Sequence, residues 1–451
     1  MLKKNQEFEI EIEQYGYEGE GIGKFNGIPI FVPFSAVGDR VIVKILKVAK
    51  GYAFGKIIEI LRESQDRQAV ECSAYLKCGG CSLLHLKYES QLDLKKQRVK
   101  DCMRKIAKLD AFVNDTVASP DVFMYRNKVQ VPIGVHNDNI ISGFYANHSH
   151  RIVKNSGCLL QNENLQKYID FIKIWMEEYS IMPYDEINHS GIIRHIYLRQ
   201  AKKTNEIMVV IVATTSKITN IEALVENLKE NLATTVIINI NKEKTNVILG
   251  KKYITLYGNG YIEDVLCENI YKISPESFYQ VNSSQTENLY KIAIEQAEIK
   301  ETDIVFDLYC GIGTISLYAS KFAKKVIGVE IVSKAIENAK ENAIRNNIFN
   351  AEFICGEADN VSEELLKSGI KPDIVIIDPP RKGADENLIG LLKKLSPKKI
   401  LYISCNPATL ARDLEKLAES NLYKINPITP VDMFPMTHHV ECVVLMSRVE
   451  K

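Results

Sequence analysis

Ile304-Val305-Phe306-Asp307-Leu308-Tyr309-Cys310-Gly311-Ile312-Gly313-Thr314 is the stretch that decides the fold of this chain. Ile304 to Leu308 reads as a buried strand, the two glycines make a tight turn, and the residues after Thr314 read as a helix. A Gly-x-Gly turn with an acid about twenty residues on is the logic of nucleotide binding: the glycines let a ligand approach the backbone, and the carboxylate takes two ribose hydroxyls. That acid is Glu330, which ends the next strand, Lys325 to Val329. Ser316 stands where a dinucleotide fingerprint has its third glycine, and Asp307 precedes the loop, where it can meet an amino-acid moiety. This pattern favours S-adenosylmethionine over NAD as the ligand.

Outward from that turn, strands and helices alternate. The helix Ser333 to Arg345, the strand Ala351 to Ile354 and the strand Asp373 to Ile377 continue the series, so a doubly wound α/β sheet is expected. Asp378-Pro379-Pro380-Arg381-Lys382-Gly383 follows the last of these, and its two prolines make a rigid turn that aims Asp378 into the cleft. The next strand, Lys399 to Ser404, runs into Cys405-Asn406-Pro407 and a helix. Pro suits a first helical position and Asn406 a cap. Cys405 therefore lies at the carboxyl end of a strand, where open α/β sheets bind ligands, and beside helix dipoles that favour a thiolate. A lone cysteine there is more often a small buried thiol; the donor turn and Asp378 shift the balance towards a nucleophile.

The chain has 451 residues, too many for one core, with equal numbers of acidic and basic residues and an ordinary apolar content. Any nucleic-acid surface must be a local patch. No apolar run is long enough to span a bilayer and the N-terminus lacks a signal-peptide core, so a cytoplasmic protein with no membrane contact is expected. Its ten cysteines should then be reduced. Phe8 to Ile12 alternates apolar and charged residues, and Asn26-Gly27 between two apolar runs signals a type I′ hairpin. With strands at Arg40 to Val48 and Tyr52 to Leu61, residues 1–62 read as a small β-barrel of the kind that binds single-stranded nucleic acid.

Cys72, Cys78 and Cys81 cluster in CSAYLKCGGC, where Gly79 and Gly80 let the backbone fold tightly. A metal or cluster site is expected, with Cys102 or Cys158 as fourth ligand and either zinc or an iron–sulfur cluster as occupant. Gln91 to Leu109 reads as a basic helix, a solvated face or a phosphate contact. Residues 63–275 are β-rich, with basic and aromatic residues in Tyr125 to Val129 and Gly191 to Arg199 that suit RNA, and hairpins around a helix over 201–260. The catalytic part is 276–451.

Together, YEGEGIGKFNGIPIFVPFSAVGDRVIV, CSAYLKCGGC, YRNKVQ, GIIRHIYLR, SPESFYQVN, FDLYCGIGTISL, IDPPRKG, YISCNP and DMFPMTHHVE resemble the RNA uracil-C5-methyltransferase family, in its iron–sulfur branch acting on 23S ribosomal RNA. The first of these resembles a TRAM domain. The resemblance spans nearly the whole chain. It implies a [4Fe–4S] cluster on Cys72, Cys78, Cys81 and Cys158, with Cys102 dropping out. It implies methyl-donor contacts from Gln280, Tyr309 with Gly311 and Gly313 in the glycine loop, Glu330 and Asp378. It also implies Cys405 as nucleophile, Glu441 as general base and Asp378 at the uracil edge. On its own, Glu441 is equally a strand-end carboxylate paired with His438 or His439. The target is expected in 23S ribosomal RNA, with the T-loop of transfer RNA as rival and no obligate protein partner. From another class, a non-catalytic RNA-binding iron–sulfur protein would need neither Cys405 nor the donor loop. Cytosine-C5 enzymes carry a second Cys near Pro-Pro, and amino-group methyltransferases an aromatic there; Arg381 is neither.

Overall fold

The computed structural model describes residues 2–419 and 421–449. Five strands, Glu7–Tyr15, Gly21–Phe25, Ile28–Val32, Arg40–Ala49 and Tyr52–Arg62, close into a barrel. Alternation sorts its residues: Ile10, Ile12, Ile30, Val41 and Val43 fill the interior, while Glu7 and Glu9 stay out and pair with Lys44 and Arg40. Asn26 and Gly27 take φ of 49° and 79°, as a type I′ turn requires.

The middle of the chain builds a seven-stranded sheet in the order 252–257, 235–240, 207–213, 193–200, 128–136, 139–145, 152–154. The hairpins expected over 201–260 are not all there. Ile207–Ala213 and Thr235–Ile240 run parallel, joined by the crossover helix Ile221–Glu230. Every residue of Ile207–Ala213 is buried, the continuous apolar pattern of a strand covered on both faces. The strand Ile193–Gln200 is also buried along its length. Its basic residues therefore do not face RNA. Arg194 donates to the carbonyls of Asn241, Glu243 and Thr245, and Arg199 to that of Ser277.

A third, eight-stranded sheet has the order 351–355, 325–330, 304–308, 374–377, 399–404, 441–448, 423–425, with Thr429–Val431 also pairing to Glu441–Arg448. Its first five strands are parallel; Glu441–Arg448 runs antiparallel to Lys399–Ser404. Successive residues face opposite layers: Val305 joins one core with Leu289 and Ala293, Phe306 the other with Leu388 and Leu410. Helices thus cover both faces, as a doubly wound sheet requires.

The basic helix is Tyr88–Cys102, continued by a π-helical turn, Met103–Ala107. It is not simply a solvated face. Gln91 and Lys95 are fully buried, Lys95 Nζ pairs with Asp432, and Arg98 Nη1 donates to the carbonyl of His438. Val99, Cys102 and Met103 pack into the core of the third sheet, so Cys102 lies there. Among the described residues no helix is long and apolar enough to cross a membrane.

Candidate active site

The donor turn is built as its sequence dictates. Tyr309, Gly311 and Gly313 all have positive φ, of 82°, 55° and 84°. At Gly313, which caps the helix Thr314–Ala319, a Cβ would come within 2.9 Å of the Phe353 ring, so only glycine fits. A Cβ at Gly311 would meet nothing within 4 Å; that face of the turn is open. The Glu330 carboxylate accepts from Gly311 N at 3.3 Å and Val332 N at 3.0 Å, which fixes its orientation at the strand end. Asp307 is fully buried, holds Ser316 Oγ at 2.5 Å, and leaves Oδ1 with no hydrogen-bond partner. Burial raises its pKa to about 6, with the Glu330 charge adding to the shift. Gln280 lies half-buried in the loop before the helix Ser283–Ala297, and Asn127 Nδ2 holds its carbonyl at 2.8 Å.

Cys405, Asp378 and Glu441 meet at the same edge of the sheet. Asp378 and Cys405 follow the adjacent parallel strands Ile374–Ile377 and Lys399–Ser404. Ser404 pairs with Cys442, so one step beyond stand Cys405 and Glu441, the first residue of the antiparallel strand. Directly opposed residues on antiparallel strands present their side chains to one face. The three groups sense each other's charge. Burial, then Glu441 and Asp378, push the Cys405 thiol up to about 11, and Arg381 opposes them. Burial and Asp378 raise Glu441 to about 8; burial and Asp307 raise Asp378 to about 7. Asn406 caps the helix Pro407–Ala418 through Ala408 N at 3.1 Å, and its Nδ2 holds the Arg381 carbonyl at 3.2 Å.

His438 and His439 do not supply a counter-charge to Glu441. Burial and neighbouring cations hold their pKa values at about 3 and 4, so both rings are neutral. Arg381 is the cation that reaches this cluster, and the sequence reading used it only to weigh rival chemistries. Its position directly after Asp378-Pro379-Pro380 is the signal that could have marked it.

Cys72, Cys78, Cys81 and Cys158 line one cavity of about 210 Å³, together with Arg126 and Lys128. Burial raises the Cys81 thiol to about 12, and raises Cys78 and Cys158 as well. Among the described residues no group of three His, Cys, Asp or Glu is placed to hold a single metal ion.

A glycine turn, a strand-end acid and a thiol beside two carboxyls, all at one edge of a doubly wound sheet, are of a kind with the sites of S-adenosylmethionine-dependent methyltransferases. Residues 87–449 match the family described as tRNA (uracil-5-)-methyltransferase, and residues 2–58 match the TRAM domain. The chain belongs to this uracil-C5 RNA methyltransferase family. It is 46% identical over 455 residues to an uncharacterized RNA methyltransferase of Clostridium acetobutylicum, covering 100% of this chain and 99% of that one. A Bacillus cereus protein of the same description is 43% identical over 453 residues, covering 100% and 98%. Among solved structures, the Pyrococcus abyssi tRNA (uracil-54, C5)-methyltransferase in complex with S-adenosyl-L-homocysteine superposes with a TM-score of 0.78. It is 30% identical, over 97% of this chain and 99% of that one. The protein is an RNA (uracil-5-)-methyltransferase that takes its methyl group from S-adenosylmethionine.

Proposed function

We propose that Cys405 is the nucleophile, Glu441 the general base and Asp378 the group that reads the uracil edge. The observation that carries this is the Ser404–Cys442 pair, which leaves Cys405 and Glu441 at adjoining strand ends where the thiol feels the charges of both Glu441 and Asp378. Carbon 5 of uracil is too weak a nucleophile to take a methyl group unaided. The Cys405 thiolate adds to carbon 6, and the resulting enolate makes carbon 5 electron-rich. Carbon 5 attacks the sulfonium methyl, and S-adenosylhomocysteine leaves with the sulfur electron pair. Glu441 takes the proton from carbon 5, and elimination breaks the sulfur–carbon 6 bond to restore the thiolate. Gln280, Tyr309, Gly311, Gly313, Glu330 and Asp378 hold the donor. Asp307, at the end of the strand before the glycine turn, adds a buried oxygen with no hydrogen-bond partner. The target uridine must be flipped out or already unpaired, because carbon 6 is shielded inside a stem.

The raised carboxyl values fit this use. Asp307 raises Asp378 and Asp378 raises Glu441, with Arg381 opposing at Glu441, and a sulfonium supplies further positive charge. Cys72, Cys78, Cys81 and Cys158 hold a [4Fe–4S] cluster. What supports it is the shared lining of one cavity by these four thiols, the donor type that such clusters take. Bound there, it supplies a cross-link between two segments of the central region.

The substrate in this reading is 23S ribosomal RNA, which rests on the cysteine pattern of the iron–sulfur branch. Transfer RNA is the second reading, favoured by the full-length similarity to the P. abyssi enzyme. Mass mapping of 5-methyluridine in total RNA from cells with and without the protein decides between them. Loss at one or two positions of 23S RNA is the expected result. Loss confined to the T-loop of transfer RNA keeps the chemistry and overturns the substrate, and no loss anywhere overturns both.

A further inference from the structure

The barrel reaches the catalytic edge through the turn that carries Tyr17 and Gly19. Tyr17, in the turn between the strands Glu7–Tyr15 and Gly21–Phe25, donates its hydroxyl to Asn406 Oδ1 at 2.7 Å. Asn406 adjoins Cys405, and the same oxygen caps the helix that follows. The Arg98 guanidinium lies 4.0 Å from the centroid of the Tyr17 ring, and its Nη1 donates to the His438 carbonyl, three residues before Glu441. Gly19, in the same turn, comes so close to the Glu441 arm that a Cβ there would stand 3.3 Å from His438 Cβ. Ser82 grips His438 from the other side, at its ring and its backbone N–H.

We infer that the Tyr17 turn is a positioning element of the active site, a clamp that sets the Cys405 loop against the Glu441 loop, and not only part of an RNA-affinity module. The inference rests on the proposed roles of Cys405 and Glu441. Its physical basis is reach. Tyr17 touches the nucleophile arm directly and the base arm through Arg98, so one ring spans two loops that no covalent segment joins closely. Tyr17 is itself half-exposed, at 46%, so what binds the barrel beside it can bear on the clamp. An exposed tyrosine contributes little to a core. Its hydroxyl accordingly acts on geometry rather than on global stability, and small displacements of reacting groups cost rate steeply.

The test is Tyr17→Phe in the full-length protein, which keeps the ring under Arg98 and removes the hydroxyl. Two readouts are needed. The first is alkylation of Cys405 by iodoacetamide without RNA, followed by peptide mass mapping. Loosening the loop is expected to raise that rate about threefold or more, with the melting temperature unchanged. The second is methyl transfer from labelled S-adenosylmethionine to total RNA from cells lacking the protein. Here kcat should fall on the order of tenfold or more while KM for RNA stays near its wild-type value. An unchanged alkylation rate, or a loss confined to KM, overturns the clamp. If the wild-type protein transfers no methyl group to this RNA, it is the proposed function that has failed, and the alkylation rate alone decides the clamp.

Discussion

The Cys405 thiol at about 11 and the Glu441 carboxyl at about 8 are both held in their uncharged forms by burial and by the Asp378 charge, with Glu441 itself adding to the Cys405 shift. A carboxyl raised in the fold stabilises it while protonated, and that stability is lost as pH rises through the folded value. Asp378, raised from 3.8 to about 7, and Glu441, raised from 4.5 to about 8, therefore lose that stability from about pH 5 upward, and the loss is complete a little above pH 8. His438 and His439 stay neutral throughout that range. The melting temperature of the donor-free protein should fall across it. S-adenosylmethionine should restore more stability at the alkaline end than S-adenosylhomocysteine does, because only the former carries the sulfonium charge. Thermal melts with each compound at several pH values check this; equal gains at every pH would remove the charge argument. Two substitutions address the chemistry. Cys405→Ala should abolish methylation and leave binding of S-adenosylhomocysteine within about twofold by calorimetry, since the thiol acts on RNA and not on the donor. Glu441→Gln should leave a protein–RNA adduct that survives a denaturing gel, because proton removal precedes release. A Cys405→Ala enzyme that still methylates would end the covalent scheme.

The helix Tyr88–Cys102 shows what an element's own sequence does and does not reveal. Its charge density reads as a surface, yet Lys95 and Asp432 are both wholly buried and paired through Asp432 Oδ1, while Asp432 Oδ2 has no hydrogen-bond partner. Removing one partner of such a pair strands a charge, so Asp432→Asn should cost about 3–5 kcal/mol in denaturant melts. The double change Lys95→Met with Asp432→Leu should recover most of that loss. A single variant no weaker than a surface substitution would show that water reaches the pair. The partner lies 337 residues away, and local periodicity carries no trace of it. By contrast, the alternating part of the chain was legible almost to the residue: Lys399–Ser404, the Asn406 cap and Ser333–Arg345 stand where apolar runs, Pro407 and helical spacing put them. The error over 201–260 has a plain source. A fully buried parallel strand and a hairpin arm are both short apolar runs, and only the pairing partner tells them apart.

Across the whole molecule, distant segments are fastened at a few points. The cysteine cavity joins residues 72–81 to Cys158, and through Arg126 and Lys128 to the central sheet. Cys158→Ser should leave anaerobically purified protein with less iron and acid-labile sulfide, in equal proportion, and with a lower melting temperature. Zinc in place of iron would overturn the cluster and keep the site. The N-terminal third is fastened to the other end of the chain as well. Segments 113–117 bridge to 428–431, and Gln91 receives Met436 N at 2.9 Å. This has a consequence for how the protein is born. The helix that emerges with Lys95 cannot satisfy that ammonium until Asp432 has been made, 337 residues later. At about 5–20 residues per second, the ribosome takes on the order of twenty seconds to a minute to supply it. Through that interval the nascent chain carries an unpaired lysine on a surface meant to be covered, and its catalytic edge has neither Cys405 nor Glu441. The sheet edge that carries Cys405 is completed only when the antiparallel strand beside it, Glu441–Arg448, has been made.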